Sequence, residues 1–171
     1  MYTFRNANRE DFGQIAAFPQ DRREAFFMWP RGSYPFSAEA LYESAVKRLL
    51  PTVVLRDGEI AGYANLYDLE EGQSCWIGNV IVSPKHRGQG AGKFLVETMI
   101  RRARDELGVR EVRLVCHNVN TGALLFYHKL GFEPFGMKVV TDHEKREIAG
   151  ILMKYRIPER VERTGWNGKT G

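Results

Sequence analysis

Eleven consecutive residues constrain this chain more than any others: Ser83-Pro84-Lys85-His86-Arg87-Gly88-Gln89-Gly90-Ala91-Gly92-Lys93. They stand between an apolar run ending at Val82 and a long stretch whose Phe94, Leu95, Met99, Ala103 and Leu107 fall on one helical face. A strand-to-helix joint of this kind aims unpaired amides out of the helix start, where the helix dipole favours an anion. Glycines remove the side chains that would block a phosphate and permit the nest-like turn that converges several N–H groups. A tight connection without a ligand is the plain alternative. Spacing excludes two familiar phosphate loops. A Walker loop needs four residues between its first glycine and Gly-Lys, then Ser or Thr, whereas three separate Gly88 from Gly92-Lys93 and Phe94 follows. A dinucleotide fingerprint needs Gly-x-Gly-x-x-Gly, and here the glycines recur at every second position.

Strand and helix patterns surround this joint. Residues 2–5 alternate as a strand, and Asn8 is placed to cap a helix running toward Phe18, with Asp11 in its first turn. Residues 20–36 carry Phe26, Phe27, Met28, Trp29, Tyr34 and Phe36 among Pro19, Pro30 and Pro35, and receive no element of their own. Ser37 caps a second helix with Ala40, Leu41, Ala45 and Leu49 as its apolar stripe. Residues 52–55 and 59–67 read as strands joined by the Asp57-Gly58 turn, and residues 74–82 follow as a third after Glu70-Glu71-Gly72. Beyond Gly108, where the long helix stops, residues 112–116 form a strand and residues 121–130 a helix ended by Gly131. Residues 137–141 and 148–155 then pair antiparallel to close the sheet. The order β-α-α-β-β-β-α-β-α-β-β predicts a single α/β domain over residues 1–157. The polar tail, residues 158–171, is expected to fray.

Composition narrows the class of function. With 171 residues, 43% hydrophobic and 27% charged, the chain falls among ordinary globular domains. Its longest apolar stretches, such as residues 76–82, are too short for a membrane span, and Met1-Tyr2-Thr3-Phe4-Arg5 lacks the features of a secretory signal. Cys75 and Cys116, the only cysteines, make neither a disulfide framework nor a metal cluster, so no metal and a reducing, cytoplasmic setting are expected. A net charge of +4 points to an acidic ligand.

Residues 80–93, from Val80-Ile81-Val82 through Arg87, Gly90 and Gly92, resemble the acetyl-coenzyme A signature of the GNAT superfamily of N-acetyltransferases, whose core is Arg or Gln-x-x-Gly-x-Gly or Ala. A second block, with Asn120, Ala123, Tyr127, Gly131 and Phe132, resembles that family's Asn-x-x-Ala-x-x-x-Tyr-x-x-x-Gly-Phe segment. The resemblance covers roughly nine-tenths of the chain, and two blocks on consecutive strand-helix units are far more specific than one. It implies a mixed, mostly antiparallel sheet of about seven strands, splayed in the middle and flanked by four or more helices. It also implies acetyl-coenzyme A as acyl donor. By the resemblance, the amides around Gly88, Gln89, Gly90, Ala91, Gly92 and Lys93, with Arg87, hold the cofactor pyrophosphate. Backbone groups of Val80, Ile81 and Val82 pair with the pantetheine arm, Asn120 contacts the cofactor, and the Tyr127 hydroxyl lies near its sulfur.

Those roles suit the chemistry. Acyl transfer from a thioester to an amine needs an uncharged amine, stabilisation of a developing oxyanion and a proton for the departing thiolate. A tyrosine, with a reference pKa near ~10, keeps a proton to donate at neutral pH. An amide of Val80 or Ile81 left free by the sheet could stabilise the oxyanion. The structural alternatives are a core-packing ring for Tyr127 and a helix N-cap for Asn120. The general base stays unassigned, because neither residues 76–80 nor residues 112–116 carry the carboxylate found in several relatives. His117 is titratable near neutral pH but reads foremost as a solvated strand-end histidine, and Asp68, Glu70 and Glu71 as solvated turn carboxylates. Cys116 cannot pair with His117, since neighbouring strand residues point to opposite faces; both cysteines read as small core residues. Lys85, Arg87 and Lys93 suit coenzyme A phosphates, while Arg101, Arg102 and Arg104 read as a solvated helix face. No nucleic-acid-binding motif is legible. The aromatic residues 26–36 wall an acceptor pocket or pack as a satellite core. The sequence thus predicts an N-acetyltransferase acting on a small-molecule or peptide amine, with a membrane role set aside and a homodimer left open. A silent acyl-coenzyme A sensor and a longer acyl donor are its rivals.

Overall fold

The local signals in the sequence assemble into β1 (Tyr2–Asn6), α1 (Phe12–Ala16), α2 (Arg22–Met28), α3 (Ala38–Ala45), β2 (Leu49–Arg56), β3 (Glu59–Glu70), β4 (Ser74–Val82), α4 (Ala91–Leu107), β5 (Glu111–His117), α5 (Thr121–Leu130), β6 (Glu133–Thr141) and β7 (Glu147–Arg156). The computed structural model describes residues 1–159, so all but the first two residues of the expected tail lie outside the described residues. The seven strands form one mixed sheet in the order β1-β2-β3-β4-β5-β7-β6, in which β4 and β5 alone run parallel. Asp57 (φ 51°) and Gly58 (φ 81°) both take the left-handed angles that a two-residue hairpin turn demands between β2 and β3.

Four local readings are corrected. The first helix is a 3-10 turn at Arg9–Asp11 followed by α1, which ends at Ala16 rather than Phe18. Asp11 anchors it by accepting the Asn8 amide (2.8 Å) and two Arg5 bonds (2.7 and 2.9 Å). Leu49 opens β2 instead of closing the α3 stripe. Residues 20–36 contain the helix α2, capped by Asp21, which accepts the Glu24 amide at 2.8 Å. Arg102 is not on a solvated face. It is 6% exposed and donates to Thr52 Oγ1 and Asn6 Oδ1, both at 2.8 Å, and to Glu106 at 2.7 Å, tying α4 across β1 and β2.

Two cores flank the sheet. One joins Leu95, Val96, Met99 and Ala103 of α4 to Ala64, Leu66, Cys75, Ile77, Val112, Leu114 and Cys116 of the strands, with Tyr127 and Phe132. The other joins Phe12, Ile15, Met28, Leu41 and Ala45 to Val53, Ile60, Tyr63 and Ile81. Two irregularities at the sheet centre position everything that follows. Strands β4 and β5 pair only through Ser74↔Glu111, Cys75↔Val112 and Trp76↔Arg113, and then diverge although both continue. In the same stretch β4 carries an extra residue against β3: Tyr63 faces Ile81 while Asn65 faces Gly78, and Asn79 between them takes φ 53°. This is a β-bulge, which bends the strand and leaves part of its ladder unpaired.

Candidate functional site

The bulge is held by a buried polar chain. Asn65 Nδ2 donates to Asn79 Oδ1 (2.8 Å) and to the Tyr63 hydroxyl (2.9 Å), and Asn79 Nδ2 donates to the Met28 carbonyl (3.0 Å). Every member is satisfied in a dry environment, so the chain fixes one geometry for β4 and docks the end of α2 against it. The divergence of β4 from β5 then opens a cleft of 1920 Å³, lined from both faces of the sheet.

At one end of this cleft stands the glycine segment. Gly88 (φ 70°) and Gly90 (φ 86°) take left-handed angles that any other side chain would strain, and Gly90 is the N-cap of α4. The first-turn amides of Ala91, Gly92 and Lys93 have no partner within the helix. Arg87, Gly88, Gly90, Gly92 and Lys93 line the cleft, as do Val80, Ile81, Val82, Asn120 and Tyr127. Two expected site residues do not. The Gln89 side chain is occupied by Arg56 (2.7 Å) and the Lys85 carbonyl (3.0 Å), and Ala91 is buried in the α4 core. Lys85 is turned away as well, paired with Glu59 at 2.6 Å. Arg87 is held by Glu24 of α2, whose carboxylate also accepts the Gln20 amide at 2.7 Å.

Tyr127 and His117 approach the gap from opposite layers. Tyr127, 8% exposed, packs its ring near Phe126 (5.2 Å between centroids) and Phe132 (5.6 Å). Burial, with a smaller contribution from Cys116, pushes its hydroxyl far above the usual phenol range, so it stays protonated at every working pH. His117 is a correction to the solvated reading. It is 6% exposed and stacks on Phe26 (4.6 Å, 30°) and Phe27 (5.7 Å, 25°). Burial, then the charge of Lys138, lowers its pKa from 6.5, so the ring is neutral at pH 7. In the aromatic segment Phe26 and Met28 are buried core residues, and Phe26, Phe27, Met28 and Trp29 all line the cleft. Asn120 occupies the N-cap position of α5 without a side-chain capping bond. Both cysteines are free and buried, with thiols pushed up to about 11 for Cys75 and about 12 for Cys116, which makes them inert core residues. Among the described residues no group of three or more His, Cys, Asp or Glu is placed to hold a metal, and no helix is long and apolar enough to cross a membrane.

Some of these features had sequence signals. Asp21 three residues before Glu24 is the spacing of a helix start, and an asparagine inside an apolar strand, at position 79, marks a residue that tolerates a left-handed angle. Burial of His117 depends on α2 landing on it, and burial of Arg102 on α4 landing on β1 and β2, which no local pattern encodes.

Compared with known proteins, residues 5–132 match the family model described as Acetyltransferase (GNAT) family. The chain is 37% identical over 78 residues to N-acetyltransferase 8F1 of Rattus norvegicus, a match covering 45% of this chain and 35% of that protein. It is 35% identical over 81 residues to streptothricin acetyltransferase of Streptomyces lavendulae, covering 47% of this chain and 42% of that protein. The match thus spans under half the length of these curated relatives. In fold it is similar to spermidine N-acetyltransferase from Vibrio cholerae in complex with CoA and spermine, with a TM-score of 0.76 and 21% identity over 91% of this chain and 95% of that one.

Proposed function

From the acetyltransferase (GNAT) family, to which this chain belongs, we propose an N-acetyltransferase that moves an acetyl group from acetyl-coenzyme A to a small-molecule or peptide amine by direct transfer, with both bound in the cleft. One observation carries the reading: a single cleft joins the helix-start amides to the edge that β4 leaves unpaired beyond Trp76 and reaches the opposite face of the sheet. Residues 1–157 act as the acetyltransferase domain, in a cytoplasmic setting that suits two free thiols.

The residues present fit the donor. An anion is favoured at the α4 start, where Gly90 leaves the amides uncovered, and an extended polar chain can bond to the free groups of β4. When bound, acetyl-coenzyme A supplies an activated thioester. The amides around Gly88 to Lys93 hold its pyrophosphate, Arg87 and Lys93 add positive charge, and Asn120 contacts the neighbouring arm. Backbone groups of Val80, Ile81 and Val82 bind that arm like an added strand. A free amide of Val80 or Ile81 donates to the acyl oxygen as it gains charge. Tyr127 keeps its proton until the sulfur departs, and neutral His117 takes the proton that the ammonium sheds, directly or through water. Placing donor and acceptor of protons in opposite layers keeps them from neutralising one another.

Calorimetric titration of acetyl-coenzyme A against wild type and Gly90→Val tests the loop. A valine at φ 86° cannot keep this turn without strain, so affinity is expected to fall about tenfold or more, a modest loss for a site resting on several charge-assisted bonds. Unchanged affinity in a folded variant removes the loop from the site. Mass spectrometry with an amine panel then separates transfer from mere sensing: tight binding without product across the panel favours a silent sensor.

A further inference from the structure

At the end of the cleft away from the glycine loop lies a cation with no acidic partner among the described residues. Arg48 lays its guanidinium on the face of Tyr67, 4.2 Å from Cζ to the ring centre, and donates through Nη1 to Asn65 Oδ1 at 3.0 Å. The space it fills exists because residue 78 is glycine: a Cβ there would lie 2.1 Å from Arg48 Nη1 and 2.8 Å from the Tyr67 ring. Arg31 and Lys47 line the cleft as well, and Arg31 acts with Arg48 on the Tyr67 hydroxyl, opposing its upward shift from burial. Asp68 is the carboxylate lining this part of the cleft, and no ion pair joins it to any of the three cations among the described residues.

A guanidinium stacked on a ring and anchored through one nitrogen is already oriented. Its remaining N–H groups form a fork that matches an oxyanion, and little ordering entropy remains to be lost on binding. We propose that this end of the cleft selects acceptor amines that also carry an oxyacid group, a carboxylate or a phosphate-type group, received by Arg48 with Lys47 and Arg31 adding charge. The inference rests on the acetyltransferase reading above. Gly78, under the guanidinium, is two residues along β4 from Val80 across the Asn79 bulge, which puts them closer than the ~7 Å of an extended strand. That separation suits an amine and an acid group on the same or neighbouring carbons. Gly78 is then a specificity residue through what it leaves room for.

The test uses the full chain saturated with coenzyme A, so that the anion site at the α4 start is filled. Acetate and inorganic phosphate are titrated in while NMR follows the Trp76 indole and arginine Nε–H signals, with chloride as the ionic-strength control. Wild type is expected to show saturable shifts that Arg48→Gln weakens ~10-fold or more, the range for a hydrogen bond to a charged group. Arg48→Lys, which keeps charge without the fork, falls between, and the exposed Lys47→Gln weakens binding about twofold. The tighter probe tells a carboxylate acceptor from a phosphate-type one. In parallel, free amino acids or aminoalkyl phosphonates should outrun their neutral amides or esters in kcat/KM, and Arg48→Gln should erase the difference through KM. Absence of saturable shifts in coenzyme A-loaded wild type, or wild-type shifts and affinity in folded Arg48→Gln, overturns the proposal. Failure of coenzyme A itself to bind is read in the same spectra at the glycine loop, and overturns the acetyltransferase reading instead.

Discussion

Replacing Tyr127 by phenylalanine removes one oxygen and leaves the packing in place, because the ring contacts with Phe126 and Phe132 involve no hydroxyl. The proposed role fixes the expected size of the effect. General-acid catalysis contributes on the order of 10²–10⁴-fold, and efficiency follows the match between the acid and its task. Burial raises the Tyr127 pKa well above that of a free phenol, which guarantees the proton but makes it a reluctant donor. The lower end of the range therefore applies: about 10²-fold in the single-turnover rate, or ~2.7 kcal/mol of transition-state stabilisation. No hydrogen bond to the hydroxyl contributes to its pKa, so folding stability should change by less than ~0.5 kcal/mol. Acetyl-coenzyme A affinity and acceptor KM should move little, since the lost interaction strengthens as charge builds on sulfur. The assay is rapid-quench single turnover, which avoids masking by slow product release, with calorimetry and thermal unfolding as controls. A folded Tyr127→Phe variant that binds the donor normally and transfers at the wild-type single-turnover rate refutes the proton-donor role.

Arg102→Met keeps the aliphatic stem but strips one fully buried hydrogen bond, to Thr52, and three others, one to the exposed Asn6 and two to the half-exposed Glu106, which water can repay; a loss of about 2–3 kcal/mol should lower Tm by ~4–12 °C in calorimetric scans. A neutral result would place Arg102 among buried ions that an apolar side chain replaces without cost. The His117 pKa is depressed in the folded protein, so the unfolded chain binds the extra proton first. Stability contributed by the neutral ring is present above about pH 6.5 and is lost as pH falls from there through the lower folded-state value; denaturant midpoints at stepped pH should show a slope in that window, flattened in His117→Gln. Asp11 shifts the other way: burial opposes ionisation, but the Arg5 and Asn8 hydrogen bonds outweigh it and lower the pKa. Its contribution persists down to about pH 4 and disappears below, so Asp11→Asn should blunt acid unfolding only beneath that point.

Much of the chain could be read directly because its signals are local. The Asp57-Gly58 hairpin, the stop at Gly108, the bounds of β4 and α5, and the glycine-to-helix joint each follow from a few adjacent residues whose backbone preferences agree. The Tyr127 and Asn120 positions were reachable through a two-block pattern on consecutive units. What stayed hidden is set by partners distant in sequence. Arg102 looks like a surface residue until β1 and β2 arrive with Asn6 and Thr52, 96 and 50 positions away. Glu24 gives no hint of gripping Arg87, 63 residues on, nor Arg48 of lying over Gly78. His117 reads as solvated from its own strand alone, and it is α2 that brings Phe26 and Phe27 over the imidazole.

The extra residue in β4 changes the phase of the strand. Upstream of it, the odd-numbered Cys75 and Ile77 belong to the core under α4; downstream, the odd-numbered Ile81 belongs to the core under α1 and α3, while Val80 and Val82 pack on the α4 side. A strand with strict alternation would keep one parity on one face throughout. Here Asn79 works as a half-step that shifts the parity, so that Val80 and Val82 continue the α4-side face that Cys75 and Ile77 begin while Ile81 faces the other layer. Substituting Asn79 would disturb the polar chain to Met28 and Asn65, yet both layers would still receive the side chains they are built around. Deleting it would restore regular pairing between Asn65–Gly78 and Tyr63–Ile81, with Val80 and Val82 still toward α4 and Ile81 still toward α1 and α3; what would go is the bulge itself, with its bend in β4 and the polar chain to Met28 and Asn65.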